Sequence, residues 1–236
     1  MTSQINFLAI TAASIGFFHT LAGPDHYLPF IMMAKARKWS RAKTSFITFA
    51  AGLGHVFSSV ILGLAGIALG VAVHKLEIIE SFRGDVTAWL FTSFGFVYLI
   101  WGIHRAIKNK PHAHKHIHAD GDLHAHEHSH NDEHAHVHET GKKSIMGWVI
   151  FTIVVFGPCE PLIPILMYPA ASESISGLLF VTAVFTIATI GTMLAVVTAA
   201  SAGFNLLPFG RLERYTHAMA GGAIMLCGLG IIFLGL

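Results

Sequence analysis

Ionisable and thiol side chains are few in this chain, and most of those in apolar surroundings gather at two places. The first is His19-Thr-Leu-Ala-Gly-Pro-Asp-His26, with His55 in the next apolar segment. The second is Gly157-Pro-Cys-Glu-Pro161, which sets Cys159 beside Glu160. Two or three imidazoles with one carboxylate form a donor set for nickel, cobalt, zinc or ferrous iron. Thiolate and carboxylate at the second place could complete such a site, or Glu160 could exchange protons. Ionisable groups at membrane depth are costly and mark functional positions. The candidate metal ligands are therefore His19, Asp25, His26, His55, Cys159 and Glu160. The bland alternative is that these groups hydrogen-bond backbone freed at a helix break. For Cys159 and for Cys227, which lies among glycines near the C-terminus, it is a small buried hydrophobe.

Both places coincide with a helix breaker. Proline lacks the N–H and clashes with the preceding turn, so Gly23-Pro24 and Gly157-Pro158 should each interrupt a helix. His19 and His26 are seven apart and share a helix face; unwinding at Gly23-Pro24 lets Asp25 and His26 curl back toward it.

The elements that must carry these residues are membrane spans. Of the 236 residues, 53% are hydrophobic and 12% charged, which excludes an ordinary soluble domain. The apolar runs are about 20 residues or longer, enough to cross a bilayer. The net charge of +2 sits in loops and gives no sign of nucleic-acid binding. The first segment, with no basic leader and with His19 and Asp25 inside it, reads as a retained span. The two cysteines make neither a zinc finger nor a secreted disulfide framework.

Read in order, the spans are 5–34, 44–73, 86–107, a fourth from 144 broken at Gly157-Pro158, 175–202 and 215–236. The expected fold is all-α integral membrane, with six transmembrane helices. Gly66 and Gly70 offer a small-residue packing face in the second, and residues 74–85 read as a short charged loop. Ala-Gly-Pro-Asp-His in the first span aligns with Phe-Gly-Pro-Cys-Glu in the fourth, so each half holds three spans and the second copy must enter from the other side. This predicts a 3+3 inverted repeat with helices one and four interrupted, and a midplane site between them. The domains are then 1–107, a polar insert 108–143, and 144–236.

The insert holds 11 histidines between His112 and His138, mostly as His-x-His, and no apolar periodicity, so it reads as a disordered, weakly metal-binding tract. Thirteen of the 15 lysines and arginines fall on alternate loops that include this insert. The positive-inside rule then places the insert in the cytoplasm and both termini outside.

His19, Asp25-His26, His55 and the His-rich insert together resemble the nickel/cobalt transporter superfamily, nearest its urease-accessory and nickel/cobalt-efflux branches. The resemblance implies that His19, Asp25, His26 and His55 are metal ligands. The spacing departs from that signature: five residues separate His19 from Asp25 rather than four, and an earlier aspartate is missing. The Gly157-Pro-Cys-Glu-Pro161 break also resembles the wider group of lysine exporters, sulfite-exporter-like proteins and the membrane domain of thiol–disulfide transporters.

The expectation drawn from this is a secondary transporter, not an enzyme, carrying a divalent transition metal ion as its substrate through the bacterial inner or plasma membrane. It would use no organic cofactor and no nucleic acid, and would work in the bilayer alone or as a homo-oligomer. The alternatives are a membrane thiol–disulfide relay, which needs two thiols that can meet, a small-anion exporter of the sulfite type, and a metal-sensing protein whose working part is the insert.

Overall fold

The computed structural model describes residues 3–108, 112–117, 123–128, 145–168, 174–206 and 210–235. Its membrane part is all-helical. Helix α1 (Ser3–Ala22) stops where Gly23 turns extended. A 3-10 turn, Pro24–His26, follows, held by His26 N–H to Gly23 O at 3.2 Å and Tyr27 N–H to Pro24 O at 3.3 Å. Helix α2 (Leu28–Ala36) restarts the direction with Pro29 in its first turn, where a missing N–H costs nothing.

Helix α3 (Arg41–Ala68) begins at Ser40, whose Oγ accepts the Lys43 N–H. It ends in a 2.9 Å bond from Val71 N–H to Gly66 O, with Gly70 at φ 62°. Gly66 packs on the Leu76 side chain, whereas a Cβ at Gly70 would meet nothing within 4 Å. The Gly66/Gly70 packing face expected from the sequence is therefore not formed. Helix α4 (Val73–Lys108) runs 36 residues, so residues 74–85, expected as a loop, are helical.

The insert contributes a short antiparallel hairpin, β1 (His112–Ile117) with β2 (Leu123–His128), pairing His112 with His128 and Ile117 with Leu123. The rest of the insert lies outside the described residues, as do most of the positions on which its expected disorder rests.

Helix α5 (Ile145–Phe156) breaks at Gly157-Pro158 and α6 (Leu162–Met167) follows. Helices α7 (Ile175–Leu206) and α8 (Thr216–Leu234) complete the chain, the latter preceded by a 3-10 turn, Gly210–Tyr215. Among the described residues five helices are long and apolar enough to cross a membrane: α1, α3, α4, α7 and α8. The fourth expected span is split into α5 and α6, neither of which is long enough alone.

Two packed clusters hold the bundle. Phe30, Met33, Phe91, Ile150, Met193 and Ile224 form one. Leu8, Val56, Cys159, Leu162, Leu166 and Phe185 form the other. Lipid tails are as apolar as leucine, so close backbone approach must supply part of the association. It does so between α4 and α8. Gly95 and Gly102 abut the backbones of Met225 and Ala218, and Gly221 and Gly228 abut those of Leu99 and of Ala88 and Thr92. Each pair is spaced by seven residues, which keeps it on one helix face.

Candidate functional site

The break after α1 folds the chain back so that His26, on the 3-10 turn, meets His19 on the last turn of α1. Their rings stand edge-on with centroids 4.8 Å apart, and His55 from mid-α3 closes on His26 at 5.0 Å. The three offer one ligand atom each within 4.8 Å of one another.

Hydrogen bonding sets the orientation of two of these rings. His26 Nδ1 lies 3.1 Å from both Gly23 O and Asp25 Oδ1, and these oxygens only accept. Nδ1 therefore carries a proton, which in the neutral ring leaves Nε2 as a bare lone pair. His55 Nδ1 donates in the same way to Val154 O at 3.1 Å. The Nε2 atoms of His19, His26 and His55 are all buried and have no partner among the described residues. Buried nitrogens left unsatisfied are costly. With one ring nitrogen from each within 4.8 Å of the others, neutral imidazoles here make a donor set suited to a borderline divalent cation.

Asp25 has a different place from the one expected of it. Its carboxylate bonds to the far side of the His26 ring, the position of a group that orients a ligand rather than ligates. Gly23 is required there, since a Cβ on it would come within 2.6 Å of His26 Nδ1 and 2.8 Å of Asp25 Oδ1.

Cys159 and Glu160 are not in the imidazole group. The Cys159 thiol is fully buried on the α5–α6 break, and its backbone N–H is shared by Ser59 Oγ at 3.1 Å and Glu80 Oε2 at 3.2 Å. Glu80, itself fully buried, takes Arg83 Nη1 on its other oxygen at 2.6 Å. Arg83 continues to Ser58 Oγ at 2.7 Å and to Gly157 O at 3.2 Å. The Cys159 N–H and the Gly157 carbonyl at the break are thus satisfied by the Glu80–Arg83 pair from α4 and by Ser59 from α3, as membrane depth demands. Glu160 is exposed and borders a shallow hollow with His74, Glu77 and Pro164. The two breaks communicate through α3: His55 bonds to Val154 O, and a Cβ on Gly157 would sit 3.3 Å from His55 Nδ1.

Glu80 and Arg83 were missed in the sequence because they read as loop charges. The signal available was an acid–base pair at i, i+3 on a helix entering an apolar run. Cys227 on α8 is buried and, like Cys159, free.

Residues 28–230 match the family model of the cytochrome c biogenesis protein transmembrane region. The chain belongs to that family. No curated protein and no solved structure matches the chain. Membership in the cytochrome c biogenesis family overturns the resemblance to nickel/cobalt transporters, and with it the reading as a carrier of divalent metal ions. The physical reason is that a short motif in the first span, already off in spacing, and a His-rich insert carried that resemblance, whereas the family match spans nearly all the helices. The likeness of the Gly157–Pro161 break to the membrane domain of thiol–disulfide transporters agrees with the match. The matched stretch includes His55, Cys159 and Cys227 and begins after His19, Asp25 and His26.

Proposed function

We propose that this chain carries out a thiol–disulfide exchange step within the membrane, of the kind that keeps apocytochrome or similar thiols reduced, with Cys159 as the reacting thiol. One observation carries the reading: in a chain of this family, a free thiol sits on a helix break whose backbone is held by Ser59 and the Glu80–Arg83 pair. The exchange balances with one thiol in the chain. Cys159 sulfur attacks an acceptor disulfide, forming a mixed disulfide and releasing one acceptor thiol. A thiol of a donor dithiol then attacks the Cys159 sulfur, freeing the second acceptor thiol. The donor's other thiol resolves the remaining mixed disulfide. Two electrons and two protons pass from donor dithiol to acceptor disulfide, and Cys159 returns to the thiol. Because Cys159 is buried, access requires α6 to swing at the break. The test is trapping: a dithiol protein lacking its resolving cysteine should form a 1:1 adduct with the full chain in nanodiscs. The adduct should persist in Cys227→Ser and vanish in Cys159→Ser. An adduct that survives Cys159→Ser overturns the reading.

A 3+3 inverted repeat is part of this proposal. Exchanging α1 with α5, α2 with α6, α3 with α7 and α4 with α8 maps the main helix contacts onto one another, though α4–α5 and α3–α4 have no matching counterpart among the described residues. The α1–α7 contact becomes α5–α3, α2–α8 becomes α6–α4, and α3–α7 and α4–α8 map onto themselves. The charge bias supports an insert on the cytoplasmic face.

The three unpartnered imidazole nitrogens favour a second reading of their own site, as a resident divalent-metal site of His19, His26 and His55 oriented by Asp25. Calorimetric titration of the full chain with zinc tests it: one high-affinity site in the wild type, lost in His26→Ala.

A further inference from the structure

A third group of polar side chains lies away from both breaks, where the ends of α2 and α4 meet the start of α8. Arg37 Nε donates to the Tyr98 hydroxyl at 3.1 Å, and that hydroxyl is hydrogen-bonded to His217 Nδ1 at 2.8 Å. The Arg37 guanidinium also lies 5.6 Å from the Trp101 ring centre, and that of Arg105 lies 5.4 Å from it. Two cations therefore share one indole. Among the described residues no carboxylate lies within ion-pairing distance of either arginine; the arginine–carboxylate pair there is Glu80–Arg83. An indole face attracts each cation, yet it does not cancel the repulsion between them. A bound anion does.

The surface around them identifies the anion. Val97, Trp101 and Arg105 follow at i, i+4 on α4 and so stack along one face. Read along the helix they run apolar, aromatic, cationic, the order of a side-chain ladder crossing from hydrocarbon to headgroup. Val97 is 65% exposed and Ile100 is 52% exposed, so an apolar surface continues directly from the cationic end. A free phosphate would have no use for that surface, whereas an acyl chain would lie on it.

We propose that Arg37 and Arg105, both set over Trp101, bind the phosphodiester of an anionic phospholipid, with the acyl chains along Val97 and Ile100. The site is independent of the thiol chemistry. It would anchor α4 and α8 at one membrane face.

Native mass spectrometry of the full chain released from detergent tests it, with phosphatidylglycerol, phosphatidylcholine or inorganic phosphate added. Phosphatidylglycerol should be retained in preference to phosphatidylcholine. Arg105→Gln, at an exposed position, should lower that retention about fivefold, the effect of one basic residue at an anionic surface. Arg37→Gln should do the same, and Arg41→Gln, an exposed arginine elsewhere, should not. No headgroup preference in the wild type, or equal loss in Arg41→Gln, would overturn the site. Displacement of the lipid by millimolar phosphate would make it a soluble-anion site and overturn the lipid assignment.

Discussion

Glu80 holds Cys159 from a different helix: its Oε2 lies 3.2 Å from the Cys159 backbone nitrogen. The other oxygen is committed to Arg83, so one carboxylate ties a charge on α4 to an open turn between α5 and α6. Removing one partner of a buried pair leaves an uncompensated charge, at about 3–5 kcal/mol. Glu80→Gln and Arg83→Met should each lower the unfolding midpoint in detergent markedly. The double variant should lie above the sum of the two losses, because neither charge is then stranded. Additive losses would show that the two do not act as a pair.

The α4–α8 seam gives a second expectation. A Cβ at Gly95 or Gly102 would run into the backbone of α8, which cannot rotate away as a side chain can. Gly102→Ala should therefore cost about 1–3 kcal/mol or more. Gly191→Ala, where a Cβ meets nothing within 4 Å, should be neutral or slightly stabilising. Thermal unfolding of the two variants side by side decides it.

The imidazole site predicts a graded response. His26→Ala removes a ligand nitrogen and should abolish stoichiometric zinc binding. Asp25→Asn keeps the ring but weakens its orientation, and should reduce affinity by about 10–100-fold. Binding should also fall as pH is lowered, since a proton competes for the same lone pair. If Asp25→Asn binds zinc as tightly as the wild type, the carboxylate does not orient the ring.

How far these features can be read from residues alone differs by kind. His19, His26 and His55 stood out because histidine is rare in apolar helices and because Gly-Pro marks where a helix must unwind. The role of Asp25 did not, since whether a carboxylate meets a metal or the back of an imidazole depends on how the turn closes. Both broken helices were legible from Gly23-Pro24 and Gly157-Pro158. Glu80 and Arg83 were lost because charge at 75–85 imitates a loop, and only packing against Ser58 and Ser59 makes it buried helix. The seam of Gly95, Gly102, Gly221 and Gly228 was invisible, because pairing two glycine stripes needs the partner helix to be known. The His-rich insert pointed strongly toward metal transport, yet the family match runs over residues 28–230 and so takes in most of the helices.

Gly157 links the two breaks and gives the last expectation. Its N–H bonds to Ile153 O and Val154 O, and Val154 O also accepts from His55 Nδ1. A Cβ added there would sit 3.0 Å from Val154 O and 3.3 Å from His55 Nδ1, inside ordinary contact on both sides of that bond. Gly157→Ala should push the carbonyl and the ring apart and so turn His55 Nε2 away from His19 and His26. Zinc affinity should then drop although no ligand has been changed. Alkylation of Cys159 by a small membrane-permeant maleimide should change in the same variant, because the same residue sets the angle of the break. An unaltered titration together with unaltered alkylation would mean that the two sites are mechanically separate.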